Sequence, residues 1–170
     1  TAVACHAIHR ANIERGQSVA VIGAGTVGLL TLQIAKSLDA RVYAIDRRQV
    51  SLDAAEELGA DSIVNVEKTD PVQAIRKLTG GLGPDIVIET AGVPETPSLA
   101  VNMARTGGKV VIVAIFTAKL QFDFNSIVAR EIHVLGTIGY TREDVENGVD
   151  LISTGKVLTV PLVSNVVGLD

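Results

Sequence analysis

The sequence predicts an α/β protein: an open, doubly wound, mostly parallel six-stranded sheet with helices on both faces. Three observations predict it. Short β-branched runs alternate with longer stretches of helical periodicity along the 170 residues, the pattern of βαβ units. The first run, SVAVI at 18–22, stops at three glycines spaced G-x-G-x-x-G: Gly23, Gly25 and Gly28. The second run, RVYAI at 41–45, is followed by an acid, Asp46, at the distance such a motif asks for.

The elements follow in order. Residues 2–12 read as a helix with Ala2, Cys5, Ala7 and Ile8 facing inward. SVAVI is nearly all apolar, as expected of a strand buried on both faces. Residues 26–38 form a crossover helix with Val27, Leu30, Ile34 and Leu38 at helical spacing. After the strand at 41–45, residues 48–58 form a helix that Gly59 ends. A short strand, SIVN, spans 62–65. Asp70 then caps a helix whose first residue is Pro71 and which runs to Leu78. GGLGP is a loop, 85–90 a strand, 95–105 a helix and Gly107–Gly108 a turn. Strands are expected at 109–115 and 132–138. Thr141 opens a helix to Ser153, with Asp144 placed for a variant of the capping box. Residues 117–131 carry no clear pattern, and the tail at 156–167 is expected to hold one or two short strands.

Composition narrows the function. Apolar residues make up 47% of the chain, enough for a sizeable core. Fifteen basic against nineteen acidic residues give a net charge of −4, and there are two Tyr, three Phe and no Trp. A nucleic-acid or anionic-membrane partner needs a clustered positive field, so neither is expected. Cys5 is the lone cysteine, which rules out an intrachain disulfide and suits a reducing compartment. No signal peptide or bilayer-length apolar stretch is visible, so the cytoplasm is the expected location. Residues 1–170 read as one domain. Thr1 already lies in a helical pattern, which suggests a piece of a longer protein.

Each glycine of the motif has its own steric task. Gly23 turns the chain sharply out of the strand, Gly25 lets backbone N–H groups approach a pyrophosphate, and Gly28 lets the helix pack close. The helix N-terminus adds free donors and partial positive charge. A carboxylate at Asp46 suits the ribose hydroxyls of an adenosine and repels a 2′-phosphate, which favours NAD over NADP. Arg47 and Arg48 keep NADP open, because arginine beside the ribose is a way to hold that phosphate.

The segments GAGTVGLLTLQIAK, AIDRR, DIVIETAGVPET, GGKVVIVAIF and VLGTIGYT, in this order, resemble the nucleotide-binding half of the zinc-type medium-chain alcohol dehydrogenases. The likeness covers essentially the whole chain and looks most like the polyol branch, which includes butanediol and sorbitol dehydrogenases. It implies a Rossmann fold with Gly23, Gly25 and Gly28 at the pyrophosphate, lined by Thr26 and Val27. It implies Asp46 on the adenosine ribose with Arg47 beside it, and Thr90, Ala91 and Gly92 walling the adenine side. Ala114, Ile115 and Phe116, with Thr137, Ile138 and Gly139, would meet the nicotinamide. It further implies hydride transfer between NAD and a secondary alcohol or polyol, and assembly as a homodimer or homotetramer. Zinc would be held by an N-terminal domain absent from this chain, so no catalytic or metal residue is expected within it and the isolated chain is expected to be inactive.

Other features have plainer readings. Cys5 and His6 diverge on a helix, and His6 and His9 share a face but lack a third ligand. Structural roles are therefore expected, though His6 remains a candidate lining of the cleft near the absent domain. His133 is read as packed or edge-exposed. Glu89 is read equally as a cofactor-side or a strand-end residue. Glu143, Asp144, Glu146 and Asp150 are read as a solvated helix face. No G-x-S-x-G elbow supports a hydrolase. Two other functions stay open: an NAD(H)-sensing regulatory module without catalysis, and a methyltransferase, which also places an acid after its second strand. The edge at 132–138, or the tail, offers a place for another subunit to pair.

Overall fold

The computed structural model describes residues 1–163 and 165–168. The six strands are β1 Ser18–Ile22, β2 Arg41–Asp46, β3 Ser62–Asn65, β4 Ile86–Glu89, β5 Lys109–Ile112 and β6 His133–Gly136. They form one sheet in the order β3-β2-β1-β4-β5-β6, and all five pairings are parallel. The doubly wound architecture is as expected, and the sheet is wholly rather than mostly parallel.

Parallel neighbours need long crossovers, and helices provide them. Helices α1 Ala2–Ala11, α2 Thr26–Ser37 and α3 Gln49–Glu57 cover one face, with α7 Arg142–Ser153 packed on α1. Helices α4 Pro71–Leu78, α5 Thr96–Met103 and the short α6 Asn125–Val128 cover the other. Strand residues alternate between two cores. Val19, Val21, Val42, Ala44, Ile86 and Ile88 join the α1–α3 side. Ala20, Ile22, Tyr43, Ile45 and Val87 join the α4–α5 side. Because both faces are covered, SVAVI shows no polar alternation.

Two polar devices fix the frame. Asp70 Oδ1 accepts from the N–H groups of Val72 and Gln73 at 2.9 and 3.1 Å, capping α4 as predicted. Asp85 ties β1 to β4 at their amino ends: its Oδ2 accepts from Ser18 N and Oγ at 2.8 and 2.6 Å, and its Oδ1 from Arg105 Nε at 2.7 Å. Burial would raise this carboxyl, but the hydrogen bonds from Ser18 and Arg105 outweigh it and hold its pKa below the ordinary value.

The structure departs from the sequence reading in four places. In α1 Ala2 is half-buried, while Cys5, Ala7 and Ile8 are buried as expected. In α2 burial runs all round the middle of the helix, residues 28–35, rather than along one stripe: Leu30 and Ile34 are buried as read, but Val27 is half-buried and Leu38 is exposed beyond the last helical residue. Strands β5 and β6 stop at Ile112 and Gly136, short of the expected 115 and 138. The tail forms a 3-10 turn, Val160–Leu162, and no strand among the described residues; residue 164 of that span lies outside them. The reason is tertiary. Gln33 Oε1 accepts from Leu158 N at 2.7 Å and its Nε2 donates to Leu158 O at 3.2 Å, satisfying the backbone there without a ladder. Pro161 has no N–H to offer one.

Ile75 is the one fully enclosed side chain of α4 and reaches the core beneath β2 and β3. Ile75→Ala is expected to lower stability by about 2–5 kcal/mol, read from the urea midpoint followed by circular dichroism.

Candidate functional site

Strand order reverses between β1 and β4, and there a cleft of about 500 Å³ opens at the carboxyl ends of β1, β2 and β4. The turn from Gly23 to Gly28 forms its floor. Gly23 has φ +96°, and a Cβ there would stand 2.8 Å from the backbone nitrogen of Ala91. A Cβ on Gly28 would run into the Gly23 carbonyl oxygen. Thr90 Oγ1 closes the turn from the β4 side, donating to the carbonyls of Ile22 and Gly23 at 2.9 and 2.8 Å. From the β2 side, Gly23 N donates to Ile45 O at 2.8 Å.

Gly25 is different. Its backbone is in the extended region, at φ −84° and ψ −172°, and a Cβ there would meet nothing within 4 Å. The fold itself does not require glycine at this position. It is the N-cap of α2, which has no side-chain cap, so the first-turn N–H groups lack intrahelical acceptors. The result is an open, donor-rich hollow that a side chain would fill, of a kind suited to paired phosphates.

Asp46 stands beside it with its side chain 11% exposed. Its Oδ2 accepts from Ala24 N at 2.8 Å and its Oδ1 from Arg48 N at 2.8 Å. The acid therefore holds the glycine turn as well as facing the cleft, a second role the spacing did not reveal. Arg47 and Arg48 are exposed on the same rim.

Glu89 ends β4, as its strand-end reading has it, but it also has a structural role that neither reading named. It is wholly buried, and its Oε1 accepts from Ala91 N, Gly92 N and Thr96 Oγ1 at 2.8, 2.9 and 2.7 Å. It is a strut that shapes the wall formed by Thr90, Ala91 and Gly92. Glu89 Oε2, at the carboxyl end of β4, and Thr137 Oγ1, just beyond β6, are buried side-chain atoms without a hydrogen-bond partner among the described residues.

Of the predicted residues, the cleft gathers Gly23, Gly25, Asp46, Arg47, Thr90 and Ala91 in its lining. Gly28 is buried, Gly92 and Val27 are half-buried, and Thr26 is exposed at the start of α2. Ala114, Ile115 and Phe116 lie past β5, and Thr137, Ile138 and Gly139 past β6; none of these six lines the cleft. Ile115 and Ile138 are exposed. The sequence reading missed Val66, Val93 and Leu99, which give the cleft an apolar side. Two are isolated valines in loops, which no periodicity marks.

Away from the cleft, two expectations are corrected. Glu143, Glu146 and Asp150 are solvent-facing, but Asp144 is 2% exposed. It completes the predicted capping box with Thr141 and accepts from His6 Nδ1 at 2.8 Å. Burial acts to raise its pKa, yet the hydrogen bonds from the Thr141 N–H and hydroxyl and from His6 hold it below the usual carboxylate range. His6 does not line the cleft; it turns to α7 instead. Cys5 is buried, and burial pushes its thiol up, as suits a packed residue. His133 is exposed on the edge strand β6, within its expected reading.

Comparison with known proteins agrees with this geometry. Residues 26–154 match the family described as zinc-binding dehydrogenase. A sorbitol dehydrogenase of Halalkalibacterium halodurans is 32% identical over 163 residues, covering 94% of this chain and 48% of that protein. An NAD-dependent alcohol dehydrogenase of Sulfurisphaera tokodaii is 32% identical over 166 residues, covering 96% of this chain and 47% of that protein. A solved zinc-binding dehydrogenase structure from Sinorhizobium meliloti 1021, bound to NADP, superposes with a TM-score of 0.85 at 34% identity, covering 92% of this chain and 48% of that one. The chain spans about half the length of the curated relatives it matches. A wholly parallel six-stranded sheet, a glycine turn at its point of reversal and a family match over most of its length place this chain among the zinc-type medium-chain dehydrogenases, as their nucleotide-binding domain.

Proposed function

We propose that this chain, as one domain over residues 1–170, binds and orients NAD(H) for a dehydrogenase acting on a secondary alcohol or polyol. The observation that carries the reading is the hollow at Gly25, which the fold does not need and which a diphosphate would fill. Thr26, Val27 and Gly28 would present backbone N–H groups to it. Asp46 would accept hydrogen bonds from the adenosine ribose, with Arg47 on the rim. Thr90, Ala91 and Gly92, braced by Glu89, would wall the adenine side, and Val66, Val93 and Leu99 would offer it apolar contact. Ala114, Ile115 and Phe116 with Thr137, Ile138 and Gly139 would receive the nicotinamide half. The dinucleotide, when bound, supplies the redox chemistry as acceptor of a hydride from an alcohol carbon.

Among the described residues, the cleft lining contains no thiolate or imidazole, so it does not fit a catalytic zinc. That metal, and the substrate pocket, belong to a separate N-terminal domain, and this chain by itself is inactive. The polyol substrate is supported by the sorbitol dehydrogenase relative, and NAD by the Asp46 carboxylate and the NAD-dependent relative. NADP is the competing cofactor, supported by the NADP-bound structure and by Arg47 and Arg48.

No helix among the described residues is long and apolar enough to cross a membrane, and a cytoplasmic location is proposed. Strand β6 is an open sheet edge carrying exposed Val134, with exposed Ile138 and Tyr140 just beyond it. Pairing of this edge with its copy would give a homodimer, and pairs of dimers a homotetramer.

Calorimetric titration is expected to show NAD binding more tightly than NADP, and tight S-adenosylmethionine binding would overturn the proposal. Gly25→Ala should melt within a few degrees of the parent yet bind NAD about tenfold or more weakly; equal affinity would remove the hollow from the site. Asp46→Asn, which keeps an acceptor for Ala24 N, should weaken NAD by about tenfold and narrow its lead over NADP. Sedimentation velocity should show a dimer or larger that Val134→Lys dissociates; a monomeric parent would refute pairing at β6.

A further inference from the structure

The sequence sets His6 and His9 on one face of α1 without a third ligand, and the fold supplies one. Helix α7 lies against the start of α1, with Gly148 packed beside Thr1 and Ala2. This brings the buried Asp144 carboxylate to the two imidazoles. One donor atom from each of His6, His9 and Asp144 lies within 4.8 Å of the others, the one such set of three among the described residues.

The two oxygens of Asp144 are used unequally. Oδ2 accepts from Thr141 N at 2.7 Å, Thr141 Oγ1 at 2.8 Å and His6 Nδ1 at 2.8 Å. Among the described residues Oδ1 has no hydrogen-bond partner, and it faces His9 Nδ1 across 3.9 Å. That gap is too wide for a hydrogen bond. A zinc ion, with bonds of about 2.0–2.2 Å to nitrogen and oxygen, would draw the two atoms to about 3.3 Å in a tetrahedral arrangement. His9 is 67% exposed and free to make that adjustment. The site opens into a hollow of about 370 Å³ that carries Glu143 and Asp150 on its walls, so the local charge attracts cations.

The geometry points to a divalent transition-metal site formed by His6, His9 and Asp144, with solvent as the fourth ligand. Two imidazoles and one carboxylate suit zinc and its neighbours rather than calcium or magnesium, which take oxygen ligands. On binding, His6 gives up its hydrogen bond to Asp144 and coordinates through Nδ1, its proton moving to Nε2. Thr141 keeps Oδ2 held as an outer-shell donor. The ion then staples α1 to α7. The site shares no residue with the cleft, so it stands or falls apart from the cofactor reading.

The test is titration of the metal-free chain with Zn²⁺ against a chromophoric chelator, with melting curves alongside. One ion is expected per chain, with a raised melting temperature. His9→Ala, a change at an exposed position, should weaken zinc by at least about tenfold and abolish the thermal shift. Co²⁺ in place of zinc should give a visible ligand-field band that His9→Ala removes. Absence of zinc binding to the parent chain, or binding that His9→Ala leaves unchanged, would overturn the site.

Discussion

The turn from Gly23 to Gly28 is squeezed between the end of β4 and the first turn of α2, and both contacts forbid a side chain. That constraint organises the carboxyl end of the sheet. Thr90 can reach two carbonyls of the turn only because β4 lies directly beside β1. Asp46 can reach Ala24 N only because β2 lies on the other side. The reversal of strand order thus brings a β2 residue and a β4 residue onto the same six-residue bend. Far from the cleft, Asp85 locks the opposite ends of β1 and β4, so the bend sits on a stiff pair of strands.

Much of this was legible in the residues. The sheet followed from apolar runs alternating with helical periods, because strands covered on both faces have little choice but Val, Ile and Ala. The caps at Asp70 and Thr141 were readable because they depend on neighbours in sequence. Strand ends were read less well. Beyond Ile112 and Gly136 the apolar run continues while the ladder stops, and periodicity cannot see a missing partner. The tail misled for a similar reason. Its valines have strand propensity, yet Gln33, 125 residues away in sequence, takes up the backbone groups of Leu158.

The site divided along the same line. Glycines and an acid at fixed spacing announce themselves, because their roles are set by local backbone geometry. Glu89 did not, since its role is to receive N–H groups from a loop whose path is fixed by tertiary packing. Asp144 was read correctly as a cap and wrongly as solvated for one reason: its partner His6 is 138 residues away. Spacing arguments describe an element and its ends; they do not describe what another element brings to it.

The double engagement of Asp46 has a consequence for coenzyme exchange. The carboxylate that would discourage an extra phosphate on the sugar also anchors the peptide nitrogen of Ala24. In the proposed cofactor site, selectivity and scaffold would therefore be coupled in a single side chain. Remodelling the proposed site to accept the phosphorylated coenzyme by deleting the acid outright would slacken the glycine turn it anchors, so a workable redesign must supply a neutral replacement acceptor before it removes the charge.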